Sequence, residues 1–250
     1  MTSHRSQMAA ARNKELRLKA QAQRARKRRI RVIVTLVVVL ALIGGGFGLA
    51  AFLGGDEVPI AEPPVPTENR TFIAPAQAPD PAVAENRTWN TTIQTSMGDI
   101  ELELFGDLAP QAVANFVTLA QVGFFDNTFC HRLTTFGIYV LQCGDPEGTG
   151  MGGPGYNFGP IENAPADDMY PAGTLAMARR GGDGESMGSQ FFLVYEDSRI
   201  PSDAAGGYTV FGRITSGLDV LRAVADAGVE GGFQDGSPAI PVIIEGVTVQ

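Results

Sequence analysis

The stretch FCHRLTTFGIYVLQCGD, residues 129–145, carries two side chains able to act on a polar substrate. Arg132 lies in one apolar run and Gln142 in the other, and the short turn between the runs predicts a hairpin. A guanidinium offers five N–H donors, and a primary amide offers two donors and an acceptor. Burying either without partners is costly. On facing strands both are therefore expected to point out of the core into a groove, as fixed hydrogen-bond donors on a rigid support. Polar and aromatic residues at other strand ends extend the set, in LAMAR (175–179), GSQFFLVY (188–195) and GGYTVFGRI (206–214).

Other chemistries are poorly supported. The chain has two histidines, His4 and His131, too few for a histidine-rich metal site, and no nucleophile motif accompanies His131. GTGMGG (148–153) matches G-x-G-x-x-G in letters, but Pro154 stands where a phosphate-binding helix should begin. No pair of carboxylates is singled out for acid–base work. Metals and cofactors are not expected. Cys130 and Cys143 lie on the two arms of the hairpin, where a disulfide and a pair of buried thiols are both compatible with the spacing.

The elements that must position these residues are mostly strands. NTTIQT and IELELF alternate around SMGD and predict a first hairpin. APQAVANFVTLAQVG predicts a helix with Pro110 in its first turn and Val113, Phe116, Val117 and Ala120 on one face. After the Arg132–Gln142 hairpin come strands near 173–178, 190–195 and 208–214. SGLDVLRAVADAG predicts a second helix with Ser216 as its cap and Gly228 as its stop, and AIPVIIEGVTV predicts a last strand. Eight short strands and two helices predict a mainly β fold, a closed eight-stranded antiparallel barrel capped by the helices.

Charge divides the chain. Eleven of its 19 Lys and Arg fall in residues 1–31, beside the single acid Glu15, and no lysine follows Lys27. Residues 32–250 therefore carry 8 basic and 26 acidic side chains, a balance that opposes nucleic-acid binding. Residues 32–53 form an uncharged apolar run after RARKRRIR, long enough for a membrane-spanning helix. The basic flank predicts a single-pass protein with residues 1–31 in the cytoplasm and the remainder outside. A cleaved signal peptide fits less well, because the run is long and no clear cleavage site follows. Residues 54–88 are proline-rich and predict a semi-rigid linker, leaving 89–250 as the globular domain.

FCHRLTTFGIYVLQCGD, GTLAMAR, MGSQFFLVY and YTVFG, together with GDIELELFGDLAPQAVANFVTLA, resemble the signature blocks of cyclophilins, the peptidyl-prolyl cis–trans isomerases. The blocks occur in the family's order over roughly residues 90–250, and the C-H-R and L-Q-C-G-D variant is similar to actinobacterial members. The resemblance implies an eight-stranded barrel capped by two helices and an activity on X–Pro bonds of proline-containing polypeptides, with no cofactor. It makes Arg132 the catalytic arginine and Gln142 its partner in holding the peptide. Substrate contacts fall at Tyr139, Val140, Ala178, Arg179, Gln190 and Phe192, with Ile200 and Tyr208 at the far wall. That wall lacks the family's tryptophan, so weak cyclosporin binding is implied. Arg179 stands where many relatives have asparagine, and the hairpin is two residues longer. A membrane-tethered module that binds proline segments without needing turnover is the alternative.

Overall fold

Burial alternates cleanly in the first two strands. In β1, Thr88–Thr95, the buried side chains are Trp89, Thr91, Ile93 and Thr95. In β2, Gly98–Phe105, they are Ile100, Leu102 and Leu104. The two pair antiparallel in one-to-one register, as period-2 patterning requires of a sheet with one buried face. The computed structural model describes residues 74–250. The predicted cytoplasmic tail (1–31), membrane span (32–53) and the first part of the linker lie outside the described residues. Among the described residues no helix is long and apolar enough to cross a membrane.

The remaining strands are β3 (Thr128–Phe129), β4 (Arg132–Phe136), β5 (Ile138–Cys143), β6 (Met169–Tyr170), β7 (Thr174–Met177), β8 (Phe191–Val194), β9 (Ser198–Arg199), β10 (Val210–Ser216), β11 (Asp235–Gly236) and β12 (Ile243–Val249). Ten of the twelve described strands form one antiparallel sheet in the order β11-β4-β5-β8-β7-β10-β2-β1-β12-β3, and β6 pairs with β9. Among the described residues the fold is thus mainly β with two α-helices, as expected of the domain. The hydrogen-bonded order is linear, however, ending at β11 and β3, where the sequence led to a closed barrel of eight strands. Two-residue strands such as β3 and β11 are too short to show a period in the sequence, so they escape a reading based on alternation.

Helix α1, Pro110–Gln121, packs its apolar side into the sheet's interior, where Ala112, Val113, Phe116, Val117 and Leu119 are fully buried. Phe116 meets Phe125, Phe191 and Phe211 at ring-centroid distances of 5.0, 5.4 and 5.5 Å, an aromatic centre that joins helix to strands. Its N-cap, Ala109, has no side chain to offer. Instead the Glu162 carboxylate accepts from Gln111 N and Ala112 N, both at 3.0 Å, and satisfies the first turn from a distant loop. Helix α2 spans Leu218–Ala227. Ser216 does not cap it; Ser216 ends β10, and the cap is Gly217 at φ 87°. A Cβ on Gly217 would lie 2.3 Å from the Asp99 carbonyl, so the close approach of helix start to β2 demands glycine there.

The C-terminal part of the predicted linker is built into the domain. Pro81–Ala84 forms a 3-10 turn against α1, and Ala84 is wholly buried. Trp89 Nε1 donates to the Ala84 carbonyl at 2.9 Å, Gln111 Nε2 donates to Pro79 O at 2.9 Å, and the Arg87 guanidinium lies 3.6 Å from the Trp89 ring centroid.

Cys130 and Cys143 are joined in a disulfide, which resolves the alternative that the sequence left open. Both are buried, Cys143 one residue beyond Gln142 and Cys130 two residues before Arg132. Closing a loop of 13 residues' separation restricts the unfolded chain. Reduction should therefore lower unfolding free energy by about 3 kcal/mol, read as a shift of the urea midpoint with and without dithiothreitol. Coincident unfolding curves would contradict this.

Candidate active site

β4 and β5 pair antiparallel with Arg132 directly opposite Gln142, Thr134 opposite Val140 and Phe136 opposite Ile138. Because side chains alternate, these six share one face of the hairpin, while Leu133, Leu141 and Tyr139 share the other. Leu133 and Leu141 are buried in the main core, and Tyr139 packs against it, edge-on to Tyr195 at 5.9 Å. The first face looks into a separate apolar cluster of Val140, Tyr170, Ala176, Phe192, Val194 and Ile200, with Ile138, Ala178 and Tyr208 packed against it.

Polar side chains on this face form a directional chain of hydrogen bonds. Arg132 Nη1 donates to Gln142 Oε1 at 3.3 Å. Gln142 Nε2 donates to Gln190 Oε1 at 2.8 Å, and Gln190 Nε2 donates to the Gly152 carbonyl at 2.9 Å. At the other end, Arg132 Nε and Nη2 donate to the two oxygens of Asp235 at 2.7 and 2.8 Å. Three of the five guanidinium N–H groups are thus engaged, and one remains on each terminal nitrogen. The hydrogen bond from Arg132 holds the Asp235 carboxyl below the usual range, against the opposing effect of partial burial. The same bond to Asp235 raises Arg132, so the guanidinium stays charged.

Gly144 permits the close contact that puts Gln142 beside Gln190. Its φ is +88°, and a Cβ there would lie 2.3 Å from the Ser189 carbonyl. The next residue, Asp145, is fully buried and explains the glycine run behind it. Its carboxylate accepts from Glu147 N, Thr149 N, Thr149 Oγ1, Gly150 N and Gly152 N. Burial pushes this carboxyl up, but these donors outweigh burial and hold it below its ordinary range. The loop that spells GTGMGG already wraps an anion of its own. Beside it His131 is kept below the usual histidine range by burial, despite the nearby Asp145 carboxylate.

Arg132, Ile138, Val140, Gln142, Ala178, Arg179, Phe192, Ile200 and Tyr208 enclose a cavity of about 170 Å³. Tyr208 stands edge-on to Phe192 at 5.6 Å. Gln142, Ala178 and Arg179 also border an adjoining cleft of about 430 Å³, which Gln190 lines with the glycine loop. The two arginines of the small cavity differ in what they can still do. Arg179 has a wholly buried side chain, and its five N–H groups are all committed, to Gly207 O, Gly206 O, Arg180 O and both oxygens of Asp203. It stacks 4.6 Å from the Tyr208 ring centroid and braces that wall. Arg132 alone of the pair retains donors for a ligand. The hydrogen bonds from Arg179 hold the Asp203 carboxyl far below the usual range.

Residues 90–249 match the family model for cyclophilin type peptidyl-prolyl cis-trans isomerases. The chain belongs to this family. It is 48% identical over 170 residues to the probable peptidyl-prolyl cis-trans isomerase B of Mycobacterium tuberculosis, covering 63% of this chain and 53% of the relative. It is 45% identical over 140 residues to the peptidyl-prolyl cis-trans isomerase of Helicobacter pylori, covering 55% of this chain and 81% of the relative. The chain thus spans about half the length of the mycobacterial relatives it matches. A crystal structure of a Cryptosporidium parvum cyclophilin aligns with a TM-score of 0.56 at 30% identity, over 66% of this chain and 98% of that one. A second structure of the parasite protein, in the presence of the dipeptide Ala-Pro, aligns with a TM-score of 0.55.

Within this cyclophilin domain the structure brings together Arg132, Gln142, Val140, Ala178, Arg179, Phe192, Ile200 and Tyr208 around the small cavity. Gln190 sits one step away and orients Gln142. Tyr139 is the correction: it faces the core side of the hairpin, and Ile138 takes its place in the groove. Neighbours on a strand point to opposite faces, so Tyr139 and Val140 could not both line it. Counting back by twos from Gln142 through Val140 reaches Ile138, a signal the sequence did contain. Asp235 was also missed, and no local signal marks it. Ile138→Asp should weaken binding of proline peptides about tenfold or more by placing a carboxylate in the apolar pocket. Tyr139→Phe should leave binding within about twofold. Calorimetric titration of both variants checks the pair, and the reverse ranking would return Tyr139 to the groove.

Proposed function

We propose that this cyclophilin domain accelerates cis–trans isomerisation of X–Pro bonds in polypeptides outside the cytoplasm. The observation that carries the reading is Arg132: a charged guanidinium with two uncommitted N–H groups at the mouth of an apolar cavity. The uncatalysed reaction is slow because twisting the C–N bond sacrifices amide resonance. In the twisted form the proline nitrogen regains a lone pair, and Arg132 can donate to it more strongly than to either planar form. Val140, Phe192, Ile138 and Ile200 suit the proline ring, while the second amide hydrogen of Gln142 can hold a carbonyl of the peptide. A thousandfold acceleration requires about 4 kcal/mol of preferential binding, within the scope of a charge-assisted hydrogen bond on a preorganised support. The match to relatives named as isomerases, and the parasite structure obtained with Ala-Pro, support the same substrate class.

Arg132→Ala in the otherwise intact protein should lose most isomerase activity, on the order of a hundredfold, with little change in melting. A normal rate in that variant would refute the assignment. Activity of the wild-type protein should be flat with pH between roughly 6 and 9. Asp235 is ionised well below that window, Arg132 is charged throughout it, and burial shifts His131 toward its neutral form.

Weak cyclosporin binding belongs to the same reading. The far wall offers Ile200 and Tyr208, while Trp89 is buried and its indole N–H is committed to Ala84 O. Inhibition should be at least about tenfold weaker than in tryptophan-bearing relatives, equivalent to about 1.4 kcal/mol. A titration of cyclosporin against isomerase activity measures it, and tight inhibition would show another side chain completing the wall.

The location rests on residues 1–53: a basic segment followed by an apolar run, which we read as a single-pass anchor with its N-terminus inside. Protease added to intact cells should release a fragment near the size of residues 90–250, detected by an antibody to the domain. Complete protection, with digestion only after lysis, would place the domain in the cytoplasm.

A further inference from the structure

The guanidinium at the groove is held from outside it. β11 is only Asp235–Gly236, a strand at the end of the sheet, reached after helix α2 and a 3-10 turn at Glu230–Gly232. Its register puts Asp235 opposite Thr134, so the carboxylate lies alongside the root of β4. From there it takes Arg132 Nε–H at 2.7 Å and Nη2–H at 2.8 Å. Two parallel bonds fix the plane of a guanidinium, which a single bond leaves free to turn. Gln142, with one contact at 3.3 Å, cannot do this alone. We propose that Asp235 is a positioning residue for isomerisation, holding one edge of Arg132 so that the two remaining N–H groups face the groove before the peptide enters.

The inference rests on the isomerase reading and adds to it the residue that makes Arg132 effective. An arginine with a side chain 41% exposed would otherwise sample many rotamers and lose that freedom at each turnover. The fork removes the loss in advance. A purely structural role for Asp235 is weakly supported. β11 is already tied to β4 by its backbone, with Thr135 N donating to Gln234 O at 2.9 Å. An ion pair this exposed adds little to stability.

The test measures kcat and KM with an X–Pro tetrapeptide for Asp235→Ala, Asp235→Asn and Asp235→Glu. It also measures Arg132→Lys with and without Asp235→Ala. Asp235→Ala should lower kcat about tenfold and move KM less than about twofold. Asp235→Glu, which can rebuild the fork, should recover most of the loss. Asp235→Asn should recover less, because its NH₂ opposes an N–H of Arg132. In the Arg132→Lys background, where no fork can form, removing Asp235 should cost less than about twofold. In parallel, nitrogen-detected NMR should show faster solvent exchange of Arg132 Nε–H in Asp235→Ala at an unchanged melting temperature. Asp235→Asn, nearly isosteric, serves if the alanine variant unfolds. Unchanged kcat in Asp235→Ala, an equal loss in both backgrounds, or unchanged Nε–H exchange would overturn the proposal. An inactive wild-type protein would refute the isomerase reading instead, and the exchange measurement would still decide whether Asp235 holds Arg132.

Discussion

Antiparallel pairing of β4 on β5, with Arg132 directly opposite Gln142, is the constraint on which the site depends. A shift of one residue would turn the guanidinium into the core and bring Leu133 and Leu141 to the surface, an outcome that burial of those two leucines strongly opposes. Register is therefore held by the hydrophobic face, and chemistry occupies the face that is left. The Cys130–Cys143 bond closes the open end of the same hairpin, next to the functional pair. Gly144 then lets β5 run into β8 closely enough for Gln142 and Gln190 to bond.

From that register follows a polar chain with a direction: Asp235, Arg132, Gln142, Gln190 and the Gly152 carbonyl. Each amide has its oxygen toward the arginine side and its nitrogen toward the loop, so the members orient one another. The glycine loop at the far end is itself held by the Asp145 carboxylate, which consumes the backbone N–H groups that would otherwise attract a phosphate. The donors of the glycine loop are thus spent inside the protein, while Arg132 keeps two to spare. Arg179 shows the same logic. With every donor committed inside the protein, its side chain acts as masonry for the Tyr208 wall and leaves Arg132 as the arginine of the small cavity with donors to spare.

The domain places these parts on rigid elements. Aromatic packing of Phe116 against Phe125, Phe191 and Phe211 ties α1 to the strand that carries Phe192 on its opposite face. The small cavity and the main core therefore share β8 as a common wall, with Phe191 and Phe192 on its two sides. A groove built on such a strand need not be ordered by the ligand, which suits the proposed catalysis by preferential binding of a twisted amide.

Much of this was legible in the sequence. Alternation in 90–105, the helical face of Val113, Phe116 and Val117, and the blocks around Arg132, Gln142, Gln190 and Phe192 are local patterns. A chain can express them only one way once one face must be dry. What stayed hidden depends on distant parts meeting. Ile138 could have been found by counting, but the family resemblance pointed to Tyr139, and only the observed register separates the two faces. Glu162 capping α1, Gly217 at the start of α2 and Asp235 bonding Arg132 join residues far apart in the chain, by contacts with no periodic trace. The two cysteines were visible, and either state was compatible with their spacing until the strands were placed. Residue type and short-range spacing determined which side chains could do the chemistry. Tertiary structure decided which donors remained free to do it, because a hydrogen-bond donor is used or spared only by what the rest of the chain sets against it.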